Sequence, residues 1–192
     1  MKKDIILCGV GGQGILSIAT IIGEAATVAG VNLKQAEVHG MSQRGGDVQS
    51  NMRLSTEQIW SDLIPLGGCD MIISMEPMEA LRYLPYLAKD GVVVTSNKPF
   101  INIPNYPDHE ALFAELNALP SVVQLDIEQV AKDSGNARGA NVVLLGMAAK
   151  YLEIVSAEQL RQAVATIFAR KGEAVVAANL KAFDSGLAAA SK

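Results

Sequence analysis

The apolar run IILC, residues 5–8, passes directly into GVGGQG, residues 9–14, and then into ILSIATIIGEAATVAG, residues 15–30. Ile15, Ile18, Ile22, Ala25 and Ala29 recur at helical spacing, whereas the run before the glycines has the length of a buried strand. The reading is a strand over 4–9, a tight turn and a helix over 14–29, which commits the chain to an α/β fold. Gly9, Gly11 and Gly14 stand at the spacing of a dinucleotide fingerprint. In that pattern the first glycine permits the turn, the second lets a ligand or another backbone come close, and the third lets the helix pack on the sheet. The helix N-terminus then offers free N–H groups to an anion. Glu37, near the end of the next strand, stands where a ribose-binding acid would. Gly12 and Gln13 fall outside the nucleotide pattern.

The remaining chain continues the alternation. VNLKQAEVHG, residues 31–40, reads as a second strand closing a βαβ unit with a right-handed crossover. Residues 39–55, HGMSQRGGDVQSNMRLS, begin as a glycine-rich polar loop and end with Val48, Met52 and Leu54 at even spacing, the pattern of a partly exposed strand. DMIISMEP from Asp70 is a buried strand, MEALRYLPYLAK a short helix limited by Pro85, and GVVVTS from Gly91 a further strand. Pro99, Pro104 and Pro107 mark a surface crossing before a helix that begins near Asp108, and SVVQLD is the last strand. Beyond it the chain reads helical, with an N-cap at Ser156 and a final helix that puts Val176, Leu180, Phe183 and Leu187 on one face to dock. The expected architecture is a single α/β domain over 1–192. It is Rossmann-like, with a mainly parallel sheet flanked by helices and a helical C-terminal region from about 127 to 192.

Composition narrows the function. With 192 residues, 49% of them hydrophobic, the chain can bury a sizeable core. A net charge of −4, with Lys and Arg scattered, leaves no basic face for nucleic acid. No apolar run approaches the roughly 20 residues that span a bilayer, and the opening segment is too short and glycine-rich for a signal peptide; the expectation is a cytoplasmic chain with no membrane contact. Cys8 and Cys69 are far apart and form no C-x-x-C pair, so no metal site is expected and any redox metal must come from another chain.

Three further stretches carry polar groups worth weighing. HGMSQRGGDVQSNMR, residues 39–53, concentrates hydrogen-bonding side chains where a strand ends at the ligand-bearing edge of the sheet. Arg44 has the paired donors to clamp a carboxylate or phosphate. His39 is a proton relay or a structural donor. A subunit interface would use the same groups. In DSGNARGANVVLLG, residues 133–146, Arg138 and Asn141 near a helix start are read as capping with a surface ion pair, or as part of an anion site or subunit contact. Glu76 and Glu79 in SMEPMEA suit a helix macrodipole, and no chemistry is assigned to them.

Taken together, GVGGQGILSIATIIGEAATVAG, HGMSQRGGDVQSNMR and GNARGANVVLLG resemble the gamma domain of the 2-oxoacid:ferredoxin oxidoreductases over nearly the whole chain. The likeness is greatest to the free-standing form of that domain, the small beta subunit of the indolepyruvate-oxidising enzymes, whose tail IFARKGEAVVAANLKAFDSG also resembles. The resemblance implies a share in oxidative decarboxylation. An arylpyruvate, indolepyruvate first, reacts with coenzyme A and oxidised ferredoxin to give aryl-acetyl-CoA, carbon dioxide and reduced ferredoxin. Thiamine diphosphate, magnesium and iron–sulfur clusters would belong to a large alpha subunit, and ferredoxin would be met through the complex. This chain has no G-D-G followed by a distant Asn and no cysteine cluster, so it is expected to be inactive alone. Gly11, Gly12, Gln13, His39, Ser42, Gln43, Arg44, Gly45 and Gly46 match the family pattern; with Gly14, Arg138 and Asn141 they form the candidate ligand or subunit-interface set. Two rival readings are a stand-alone dinucleotide-binding protein and a non-catalytic structural adaptor.

Overall fold

A computed structural model of the chain describes residues 1–40 and 45–190, without the side chain of His39. Six strands, β1 (Lys2–Val10), β2 (Asn32–His39), β3 (Asp47–Ser55), β4 (Cys69–Ser74), β5 (Leu87–Ser96) and β6 (Val122–Leu125), form one sheet in the order β2-β3-β1-β4-β5-β6. β1, β4, β5 and β6 pair in parallel, whereas β3 is antiparallel to both of its neighbours. The helices are α1 (Ile15–Val28), α2 (Pro77–Arg82), α3 (His109–Asn117), α4 (Ile127–Asp133), α5 (Ala140–Leu152), α6 (Ala157–Phe168) and α7 (Glu173–Ala189).

The expected α/β sheet with a helical C-terminal region is therefore present, with one departure. β2 runs parallel to β1 but does not pair with it, because β3 inserts between them, so the expected simple βαβ unit is split. β3 is partly exposed, as its alternation suggests, but mainly at its start: Asp47 is exposed and Val48 and Gln49 are half-buried, whereas Ser50, Asn51, Met52, Leu54 and Ser55 are buried. Its polar side chains find partners on the second face. Asn51 accepts from the backbone N–H of Ile64, and Arg53 donates through Nε and a terminal nitrogen to Asp4, at 2.8 and 3.0 Å. Arg53 also donates to the carbonyls of Ser61 and Leu63, which fastens the segment after β3 over this face. The half-polar β2 takes the sheet edge, where a pattern such as KQAE is tolerated.

Strand residues divide between two clusters. Ile5, Leu7, Met52, Met71, Ile73, Val92 and Val94 face a core shared with α1, α4, α5, α6 and α7. Ile6, Cys8, Ile72 and Val93 face a smaller core with Ala80 and Tyr83 of the α2 region and Leu116 of α3. Coverage of both faces explains why VVV at 92–94 lacks alternation. α5 is buried over Val142–Ala149 because it lies between the sheet and α7. The α5–α7 crossing is close enough that a Cβ on Gly186 would stand 2.0 Å from the carbonyl oxygen of Val143, and one on Gly146 2.2 Å from that of Phe183. Ser156 caps α6 in a reciprocal capping box with Gln159, as its position predicts. Phe183 is fully buried, and Leu180 and Leu187 pack against the large core.

Candidate functional site

The candidate site lies where the parallel strands end. At the end of β1 the Gln13 N–H donates to the Val10 carbonyl (3.1 Å), while the Gln13 side-chain oxygen accepts from the Val10 N–H (2.7 Å). Gln13 thus closes its own turn through its backbone N–H and side-chain oxygen. Gly14 is the N-cap of α1 in the left-handed region, at φ 87°, and no side chain caps it. Asn141 presses on this residue: its Nδ2 donates to the Gly14 carbonyl at 3.2 Å, and a Cβ on Gly14 would meet it at 2.8 Å. The third glycine therefore admits Asn141 rather than a helix–sheet contact, which joins two stretches that are 127 positions apart.

Gly11 meets backbone. Its N–H donates to the Gly46 carbonyl at 2.8 Å and its carbonyl accepts from the Gly45 N–H at 3.3 Å. Two outside groups hold the same loop: Asn102 Nδ2 donates to the Gly45 carbonyl (2.9 Å), and the Tyr83 hydroxyl reaches both carboxylate oxygens of Asp47 at 2.9 and 2.8 Å. Burial, and then the Asp47 carboxylate, raise the Tyr83 phenol well above its ordinary range, so it stays a donor. The backbone of His39 pairs with Val48. Its side chain and residues Ser42, Gln43 and Arg44 lie outside the described residues, and their expected roles with them.

The buried acids behave as helix-terminus acids should. Glu76, fully buried, caps α2 by accepting from the Glu79 N–H at 2.9 Å, and also accepts from the Phe100 N–H and the Tyr106 hydroxyl. It thereby fixes the proline-rich segment whose Asn102 holds the loop. Glu79 is gripped by Arg82 through two hydrogen bonds of 2.8 and 3.2 Å, although burial pushes its carboxyl up. Neither is free to act as a base. Tyr83, Asn102 and Tyr106 escape sequence reasoning because nothing local marks a tyrosine or asparagine whose partner is 30 to 57 positions away.

Cys8 and Cys69 are fully buried free thiols. Burial raises both, Cys69 to about 12 and Cys8 well above the usual 9.0. Their protonated state adds stability that is fully present below the unfolded value near 9.0 and is lost as pH rises toward the folded values. The native protein should accordingly resist iodoacetamide at pH 8, reacting at least about 100-fold more slowly than in urea, and its thermal midpoint should fall between about pH 9 and 12. A native-state alkylation time course and a pH series of melts check both. Among the described residues no cluster of three or more His, Cys, Asp or Glu is arranged to hold a metal. Two buried, separated thiols do not fit an iron–sulfur cluster.

In the dinucleotide reading the space beside the second glycine belongs to a pyrophosphate. Here Gly45 and Gly46 occupy it. Glu37 is also displaced, because β3 stands between β2 and the glycine turn, roughly 10 Å for two strand spacings. The turn is a backbone lock for the 40–47 loop.

The chain matches the family described as pyruvate ferredoxin/flavodoxin oxidoreductase over residues 4–189. The chain belongs to that family. It is 37% identical over 200 residues to indolepyruvate oxidoreductase subunit IorB of Pyrococcus horikoshii, covering 99% of this chain and 97% of the relative. It is 35% identical over 194 residues to the same subunit of Archaeoglobus fulgidus, covering 97% and 94%. The crystal structure of the gamma subunit of a keto/oxoacid ferredoxin oxidoreductase from Geobacter sulfurreducens superposes with a TM-score of 0.69 at 27% identity, covering 98% of each chain. No helix among the described residues is long and apolar enough to cross a membrane.

The Tyr83–Asp47 contact is testable. Tyr83→Phe should cost about 1.5–3 kcal/mol, as expected for a hydrogen bond to a charged acceptor, and should speed amide exchange at Gly11 and Gly45 more than at Ile72 in β4. Hydrogen exchange followed by mass spectrometry or NMR reads this directly; uniform acceleration across the sheet would contradict the assigned anchoring role.

Proposed function

We propose that this chain is the small subunit of a 2-oxoacid:ferredoxin oxidoreductase that oxidises arylpyruvates, with indolepyruvate the leading substrate. Coenzyme A is the acyl acceptor, and aryl-acetyl-CoA, carbon dioxide and reduced ferredoxin are the products. The observation that carries the reading is the backbone lock between Gly11 and Gly45–Gly46. It spends the glycine turn on holding Gly45 and Gly46 instead of on holding a nucleotide. The similarity to indolepyruvate oxidoreductase subunits over almost the full length of both chains supports the substrate assignment.

The division of labour follows from the side chains. The described site offers fixed backbone and carboxylates that are already paired, with no free nucleophile or base. Thiamine diphosphate and the iron–sulfur clusters of a large partner subunit supply the carbanion and electron-transfer chemistry. This chain contributes position: Gly11, Gly45, Gly46, Asp47, Tyr83 and Asn102 hold the loop, and Arg44 on that loop offers paired donors to a carboxylate or phosphate of substrate or coenzyme A. His39 serves as a proton relay.

The test is turnover of the assembled complex with indolepyruvate, coenzyme A and ferredoxin, the chain carrying Arg44→Ala. The expected result is a fall of about 10–100-fold in kcat/KM with assembly intact, the size of one lost charged hydrogen bond. Loss of assembly with unchanged specific activity in the residual complex would assign the loop to the adaptor role. Preference for pyruvate over indolepyruvate, phenylpyruvate and 4-hydroxyphenylpyruvate would overturn the substrate assignment.

A further inference from the structure

A cavity of about 520 Å³ is bounded by α1, the turn before α5, and the start of α7. That volume is within the ~300–1,000 Å³ of small-molecule sites. Arg138 and Lys171 both line it, and no carboxylate does. Among the described residues neither cation makes an ion pair. The surface ion pair that would make Arg138 an ordinary capping residue is therefore not found there. Lys171 is held over the Phe168 ring, 5.2 Å from its centroid, which keeps the ammonium at the wall of the cavity.

The frame is rigid. Asn136 donates to Asn179, which donates to the Val175 carbonyl, and Asn141 bridges the Gly14 carbonyl and the Val142 N–H. Each of these amides is engaged within the protein, which leaves the guanidinium, the ammonium and the half-buried Ser17 hydroxyl as the uncommitted groups that line the cavity. Of the three helices that meet here, α1 and α5 reinforce the sign of the field without an acid in the first turn, while α7 carries Glu173 there. α1, α5 and α7 begin at Gly14, Gly139 and Gly172 with no side-chain cap, whereas α2, α3, α4 and α6 each carry one. Uncapped N-termini add partial positive charge. Two exposed, unpaired cations on one cavity wall without a carboxylate select a multiply charged anion.

We propose that this cavity is a binding site for a phosphoanhydride, the pyrophosphate group of a nucleoside diphosphate or a free polyphosphate, with Arg138 and Lys171 as its ligands. The inference stands apart from the oxidoreductase reading, since it concerns the isolated chain. The experiment is calorimetric titration of the purified chain with inorganic pyrophosphate and with ADP, repeated for Arg138→Ala, Lys171→Ala and Arg138→Glu. Saturable pyrophosphate binding is expected, weakened about tenfold or more by each alanine and abolished by Arg138→Glu. Both side chains are exposed, so unchanged thermal midpoints should accompany the losses. Tighter binding of ADP than of pyrophosphate would identify a nucleotide-bearing ligand; equal affinity would identify the phosphoanhydride alone. Absence of saturable binding at millimolar pyrophosphate, or binding that the three substitutions leave unchanged, would overturn the proposal.

Discussion

Replacing Arg53 by alanine is expected to destabilise the chain by about 3–5 kcal/mol, the cost of leaving a buried charge without its partner. The reason is Asp4, whose side chain is 0% exposed and receives two hydrogen bonds from Arg53. Only Lys2, itself 53% exposed, remains to pair with it, and on one oxygen alone. The Ser61 and Leu63 carbonyls lose their donor in the same step, so the segment after β3 should loosen. Urea unfolding measures the first effect. Arg53→Ala combined with Asp4→Asn should recover part of the loss, because the neutral amide no longer carries an unpaired buried charge. A deficit below about 1 kcal/mol for the single variant would mean that the pair is not sealed from water.

The second large effect belongs to the crossing of α5 and α7. Gly186→Ala places a methyl 2.0 Å from the Val143 carbonyl oxygen and 2.9 Å from its carbon, both backbone atoms that cannot rotate away. The helices must separate, which opens the layer around Phe183 and Leu145. Overpacking costs typically about 1–3 kcal/mol, and the ~1 kcal/mol by which alanine favours a helix over glycine offsets only part of it when the obstacle is backbone. A net loss of about 2 kcal/mol is expected, equivalent to roughly 4–8 °C in melting temperature for a chain of this size. Gly146→Ala should cost a similar amount by meeting the Phe183 carbonyl from the opposite helix, and the two losses should not add, since either one already parts the pair. A thermal midpoint that rises with Gly186→Ala would show that the crossing is looser than these distances state.

Strands and helices with strong periodicity were legible from residues alone: IILC before the glycines, VVV at 92–94 and the Ser156-capped helix all stand where their patterns place them. The strand order was not legible. Alternation in β3 is the same for an exposed edge strand and for a central one whose polar side chains are paired, and only Asp4, 49 positions away, tells Arg53 which it is. The candidate site divides in the same way. The glycine motif announces close approach at Gly11, but identifies neither a ligand nor a backbone as what approaches. Gly45 and Gly46 occupy that place because β3 returns beside β1 and brings the loop with it. The supports from Tyr83, Asn102 and Glu76 depend on three segments meeting at one sheet edge, which no local pattern encodes.

The central claim is that this chain works as one part of a larger oxidoreductase and holds none of its redox cofactors. Anaerobic affinity purification of the chain from its native cells, with identification of what co-elutes and a visible absorption spectrum, tests it most directly. The account predicts a brown complex containing a large, cysteine-rich, thiamine-binding chain, with activity toward indolepyruvate that disappears when the two are separated. A colourless chain that elutes alone, or one that by itself decarboxylates a 2-oxoacid, would contradict it.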